Sequence, residues 1–151
     1  MISKYKDSQP LFYNILSNSI KDGFLSHAYL FDENNNPMAY EMVLSFIKEI
    51  LSIGRESERE LISKLVDDGN YSELSIISPE GMLIKKEQLK NLQNDFSKKA
   101  ITGDKRIYII RDADKMRKEA ENSILKFLEE PNENIIAILI TNNINNILDT
   151  V

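Results

Sequence analysis

Apolar residues along the chain fall into two periodicities. Four short runs, "HAYLF" (27–31), "LSIIS" (74–78), "RIYIIR" (106–111) and "IIAILIT" (135–141), are nearly continuous rather than alternating. That pattern predicts strands covered on both faces, as in a parallel sheet. Between them the apolar positions recur at helical spacing. "PLFYNILSNSIKDG" (10–23) places Leu11, Ile15 and Ile20 on one stripe, with Gly23 as a stop. "YEMVLSFIKEILSIG" (40–54) repeats them at Met42, Val43, Phe46, Ile47, Ile50 and Leu51. A polar helix with a seam at Leu61, Ile62 and Leu65 is expected over 54–70, with Glu56 and Arg59 paired across one turn. Two more helices follow, one over 85–100 with Leu89, Leu92 and Phe96 inward. The other, over 114–131, turns Met116, Ala120, Ile124, Phe127 and Leu128 inward and closes at Pro131. Strands alternating with helices predict an α/β fold with right-handed crossovers and a parallel sheet.

Length and composition narrow this picture. A chain of 151 residues, 42% hydrophobic and 28% charged, fits one domain of ordinary size. No apolar run approaches the roughly 20 residues that span a bilayer, and the N-terminus lacks the apolar core of a signal peptide, so a cytoplasmic protein without membrane contact is expected. The absence of cysteine excludes disulfides and thiolate zinc sites, and a single histidine excludes a histidine-rich metal site. His27 opens a strand, where it serves as a structural hydrogen-bonder or a base; no Ser/His/Asp triad can be placed. The net charge is −5, yet residues 85–118 hold 11 Lys or Arg against 5 Asp or Glu. That stretch is either a set of solvated helix faces or a basic surface for a partner.

Ligands of open parallel sheets bind beyond the carboxyl ends of the strands. The loop "FDENNNPMAY" (31–40) stands between a strand and a helix, where a phosphate-binding loop would be. Such a loop needs glycines, a lysine and a hydroxyl. Here Asp32 and Glu33 bring negative charge, Asn34, Asn35 and Asn36 supply a turn, and Pro37 removes a backbone donor. After the third strand, "IYIIRDADKM" has the layout of a Walker B segment, but Arg111 occupies the magnesium-ligand position. Asp112 then reads as a helix-initiation residue or a general base, and Asp114 as the cap of the following helix. We also expect Arg111 to lie at a strand end adjacent to Asp32 and Glu33 and to form an ion pair with one of them.

"QPLFYNILSNSIKDGFLSHAYLF", followed by "KRIYIIRDADKMRKEAENSILKFLEEPNENIIAILITNNINNIL", resembles the N-terminal domain of the delta prime family of bacterial DNA polymerase III clamp-loader subunits. "DGNYSELSIISPEGMLIKKEQLKNL" fits the same family, so the likeness covers essentially the whole chain. It implies a three-layer αβα P-loop NTPase-like (AAA+) domain with a parallel sheet over 1–151, an N-terminal fragment without the lid and collar domains. Against ATP-binding relatives, Ala39 falls on the Walker lysine and Tyr40 on the hydroxyl residue, while Glu33, Asn36 and Met38 fall on glycines. Arg111 and Asp112 fall on the Walker B pair, and Thr141 and Asn142 on the sensor region. The family role implies a subunit with no activity of its own and no ATP, magnesium or zinc. Its expected partners are the delta and tau/gamma subunits and, through the complex, the sliding clamp and primer-template DNA. An ATP-hydrolysing subunit of the tau/gamma type is the alternative. Many members carry a four-cysteine zinc module where residues 52–72 here have no cysteine. The family's Ser-Arg-Cys motif would follow residue 151.

Overall fold

The computed structural model describes residues 2–23, 25–33, 36–97, 105–129 and 134–143. The chain divides into two compact units, residues 1–26 with 36–72, and residues 27–35 with 73–151.

The first unit is helical. Helix α1 (Pro10–Asp22) starts with proline at its first turn and ends at Gly23. The Gly23 φ of 73° is a left-handed conformation that costs glycine nothing, and its N–H closes on the Ile20 carbonyl. The inward face of α1 is not the one expected: Leu16 is buried, whereas Leu11 and Ile15 are 72% and 54% exposed. Helix α2 (Ala39–Leu51) buries all six of the positions its spacing predicts. Helix α3 (Arg59–Asp67) is shorter than expected because a 3₁₀ turn occupies Glu56–Glu58, and its buried seam is Ile62 and Val66. Arg59 reaches Glu49 on α2, at 2.8 Å, instead of Glu56. Lys48 to Asp67 at 2.6 Å and Arg55 to the Tyr71 hydroxyl at 2.8 Å add two further polar ties. The Arg59–Glu49 and Lys48–Asp67 pairs are partly solvated and worth roughly 0.2–1 kcal/mol each.

The second unit holds a parallel sheet of β1 (Ala28–Asp32), β2 (Leu74–Ile77), β3 (Arg106–Ile110) and β4 (Ile135–Thr141), in the order β1-β4-β3-β2. The near-continuous apolar runs of β3 and β4 follow from this order, since both strands are interior and almost every residue in them is buried. β1 and β2, with a strand on one side only, are half-buried. Tyr108, Ile110, Ala137 and Leu139 pack against Leu89, Leu92 and Phe96 of α4 (Lys86–Ser97) and Ala120 and Ile124 of α5 (Lys118–Glu129). Ile107, Ile109, Ile136, Ile138 and Ile140 alternate onto the other face and are buried too.

His27 lies just outside β1; its carbonyl accepts the Ala137 N–H at 2.9 Å and its side chain is exposed. At the amino ends of the strands, the Arg106 guanidinium stands 2.9 Å from Glu73 and donates to the Asp95 and Phe96 carbonyls that end α4. It also lies 4.4 Å from the centre of the Phe96 ring. The expected 114–131 helix divides into a 3₁₀ turn at Ala113–Lys115, an extended Met116 and α5. Pro131 and the Phe127 side chain lie outside the described residues.

Candidate functional site

Strand register decides which candidate residues meet. Asp32 is paired with Thr141, and the Glu33 N–H continues the ladder onto the Thr141 carbonyl at 2.7 Å. β3 ends at Ile110 beside Leu139, so Ile140 and Thr141 run on past it. β4 therefore stands between the ends of β1 and β3. β1 and β3, which lead into Asp32 and Arg111, are not adjacent strands, as the sequence led us to expect; β4 lies between them.

Asp114 reaches into the space beyond the end of β3. The backbone turns sharply at Asp112, whose φ of 52° makes it the one non-glycine residue in the left-handed region among the described residues. Aspartate tolerates this conformation better than most side chains. Asp112 does stand at the start of the 3₁₀ turn, but its side chain makes no capping hydrogen bond. The turn buries Ala113 and sends Asp114 back toward β4. There the Thr141 hydroxyl donates to Asp114 Oδ1 at 2.9 Å, and the Asn142 N–H donates to the same oxygen at 3.3 Å. Thr141 is fully buried, and the Asp114 side chain is 5% exposed. Asp114 is thus no helix cap. It joins two strand ends across 27 positions of sequence, which no spacing rule within one element could have revealed.

In the other unit, Asn36 to Tyr40 make a self-contained turn into α2. Asn36 Oδ1 accepts the Met38 N–H at 2.9 Å and the Asn36 carbonyl accepts the Ala39 N–H at 3.2 Å, an Asx-type closure over Pro37. Met38 precedes the helix without capping it, and Ala39 and Tyr40 begin it. Asn34 and Asn35 lie outside the described residues.

The basic stretch is drawn together by backbone bonding. The Ile84 N–H donates to the Lys115 carbonyl at 2.9 Å, and the Arg117 N–H donates to the Ile84 carbonyl at 3.3 Å. This parallel bridge sets Lys85 and Lys86 beside Lys115, Arg117 and Lys118, all exposed. No group of three or more His, Cys, Asp or Glu suited to a metal occurs among the described residues.

A parallel sheet in this order, with β1 followed in the chain by a loop and a helix, defines an α/β protein of the P-loop NTPase-like (AAA+) class. A DNA polymerase III gamma subunit-related protein from Thermotoga maritima shares the fold, with a TM-score of 0.67 at 20% identity over 89% of this chain and 42% of that one. The family model described as "DNA polymerase III, delta subunit" matches residues 8–151, and the chain belongs to that family. It is 40% identical over 146 residues to the DNA polymerase III subunit delta' of Bacillus subtilis, covering 95% of this chain and 44% of that protein. It is 26% identical over 130 residues to the tau/gamma subunit of Haemophilus influenzae, covering 83% of this chain and 19% of that protein. The chain thus spans less than half the length of these curated relatives.

Proposed function

We propose that this chain is the AAA+ module of a delta prime-type subunit of the DNA polymerase III clamp loader, a cytoplasmic protein. It helps to load the sliding clamp onto primed DNA and neither binds nor hydrolyses ATP. One observation carries the second part: the backbone donors of Glu33, Met38 and Ala39, among the described residues of the loop, are used internally. A phosphate loop works by turning successive N–H groups toward the ligand. Here the N–H groups of Glu33, Met38 and Ala39 are bonded to Thr141 and Asn36, and Pro37 has none. Ala39 and Tyr40 at the lysine and hydroxyl positions, and Arg111 at a magnesium-ligand position, support the same reading.

On this reading the subunit acts through contacts with the delta and tau/gamma subunits, without ATP, magnesium or zinc. Calorimetric titration with ATP and magnesium tests it: no heat beyond dilution is expected, and micromolar binding would reject it. The alternative, an ATP-hydrolysing subunit of the tau/gamma type, requires phosphate release above background that Asp112→Ala abolishes.

The Ile84–Met116 bridge favours a further role, direct contact with the phosphate backbone of primer-template DNA through Lys85, Lys86, Lys115, Arg117 and Lys118. Binding that weakens steeply with salt is expected; its absence at low salt excludes this contact.

A further inference from the structure

We propose that Asp114 is a positioning residue for the basic surface, and that Thr141 anchors it. This deepens the DNA-contact reading and rests on it. The turn Ala113–Lys115 is held from two sides. On one, Asp114 Oδ1 receives the Thr141 hydroxyl and the Asn142 N–H; on the other, the Lys115 carbonyl receives the Ile84 N–H. Lys115 follows Asp114 directly, its ammonium 3.9 Å from Asp114 Oδ2, and Arg117 and Lys118 follow within three residues. The left-handed Asp112 supplies the reversal that brings the carboxylate back to β4.

Lys115 therefore stands on a turn held on one side by a nearly buried carboxylate and a buried hydroxyl, and Arg117 and Lys118 follow just beyond it. A phosphate ladder has fixed spacing, so cations fixed in place bind it without first being ordered, whereas the same cations on a loose turn must be immobilised on binding. Asn143 completes the anchor, its N–H donating to the Thr141 Oγ1 at 3.0 Å and fixing the hydroxyl so that its proton points at Asp114.

Removing a negative charge beside a DNA-binding surface should, by electrostatics alone, tighten DNA binding. Positioning predicts the opposite, so the two are separable. In titrations of primer-template DNA across a salt series, Asp114→Ala, which removes the acceptor oxygen that asparagine would keep, should bind several-fold more weakly. Its salt slope should fall by about one contact although no cation has been removed. Thr141→Val, which alters no charge, should do the same, and Thr141→Ser should restore binding. Amide hydrogen exchange over 113–118 should accelerate in the first two variants and not in the third. Equal or tighter DNA binding by Asp114→Ala, or unchanged binding by Thr141→Val, overturns the proposal. Lys85→Glu and Arg117→Glu tell that failure from the failure of the DNA reading, since with no DNA contact at this surface they would leave affinity unchanged.

Discussion

Replacing Arg106 with methionine keeps most of the side chain's apolar stem and removes its charge. The structure shows what is left behind: Glu73, 4% exposed, beside a guanidinium that is itself only 12% exposed. Deleting one member of a buried pair strands the other charge, which costs about 3–5 kcal/mol. Against a total of roughly 5–15 kcal/mol for a domain, that is a large fraction. At about 2–4 °C per kcal/mol for a chain of this size, the melting temperature should fall by roughly 6–20 °C. The carbonyls of Asp95 and Phe96 lose their donors at the same time, so α4 should fray from its C-terminal end. Thermal and urea unfolding followed by circular dichroism measure the loss. The double variant Glu73→Leu with Arg106→Met should recover much of it, because no stranded charge remains. Arg106→Lys should fall between, since an ammonium cannot serve a carboxylate and two carbonyls in the fork geometry of a guanidinium. A loss below about 1 kcal/mol in Arg106→Met, or a double variant as unstable as the sum of the singles, would refute the reasoning.

Two further outcomes are expected. Glu121 on α5 is buried, 5% exposed, and desolvation raises its pKa above the ordinary glutamate value. The folded state then holds that proton more tightly than the unfolded chain, so this group favours folding at acid pH and the benefit fades as pH rises through the raised value. Glu121→Gln should accordingly stabilise the protein at pH 7, with the gain disappearing below about pH 4, where glutamate is protonated in both states; a gain independent of pH would exclude this cause. At Asp112, glycine should keep stability within about 1 kcal/mol of the parent, whereas valine should lose about 1–2 kcal/mol more than glycine; equal melting of the two variants would show that no left-handed residue is needed there.

The strands and their burial were legible in the chain because interior parallel strands need apolar residues on both faces, and the short, Ile-rich runs "IYII" and "IIAILI" supply them. α2 was legible for the same reason at helical period. α1 was not: Leu11 and Ile15 stand beside Phe12 and Leu16, so two neighbouring stripes satisfy the period equally well, and only packing selects Leu16. Arg59 had an acidic neighbour within reach on its own segment, and the tertiary pairing with Glu49 won. The candidate site was legible as a set of missing residues, since the absence of glycine, lysine, serine and threonine from 31–40 needs no structure to notice. Which groups meet at the strand ends depends on strand order, with β4 between β1 and β3, and on a carboxylate returning through a left-handed turn. Neither is written in local spacing.

The β1–β4 pairing also bears on how the protein is made. Ala28 lies opposite Ala137, about 110 positions later in the chain. At the usual pace of synthesis, roughly 5–20 residues per second, β1 leaves the ribosome about 5–20 s before its partner exists. Throughout that interval the apolar segment "AYLF" lacks the strand it pairs with in the folded protein. The pairing of β1 therefore has to wait for a late stage of synthesis, and slower translation between the two strands should lower the yield of folded protein, measured as the soluble fraction.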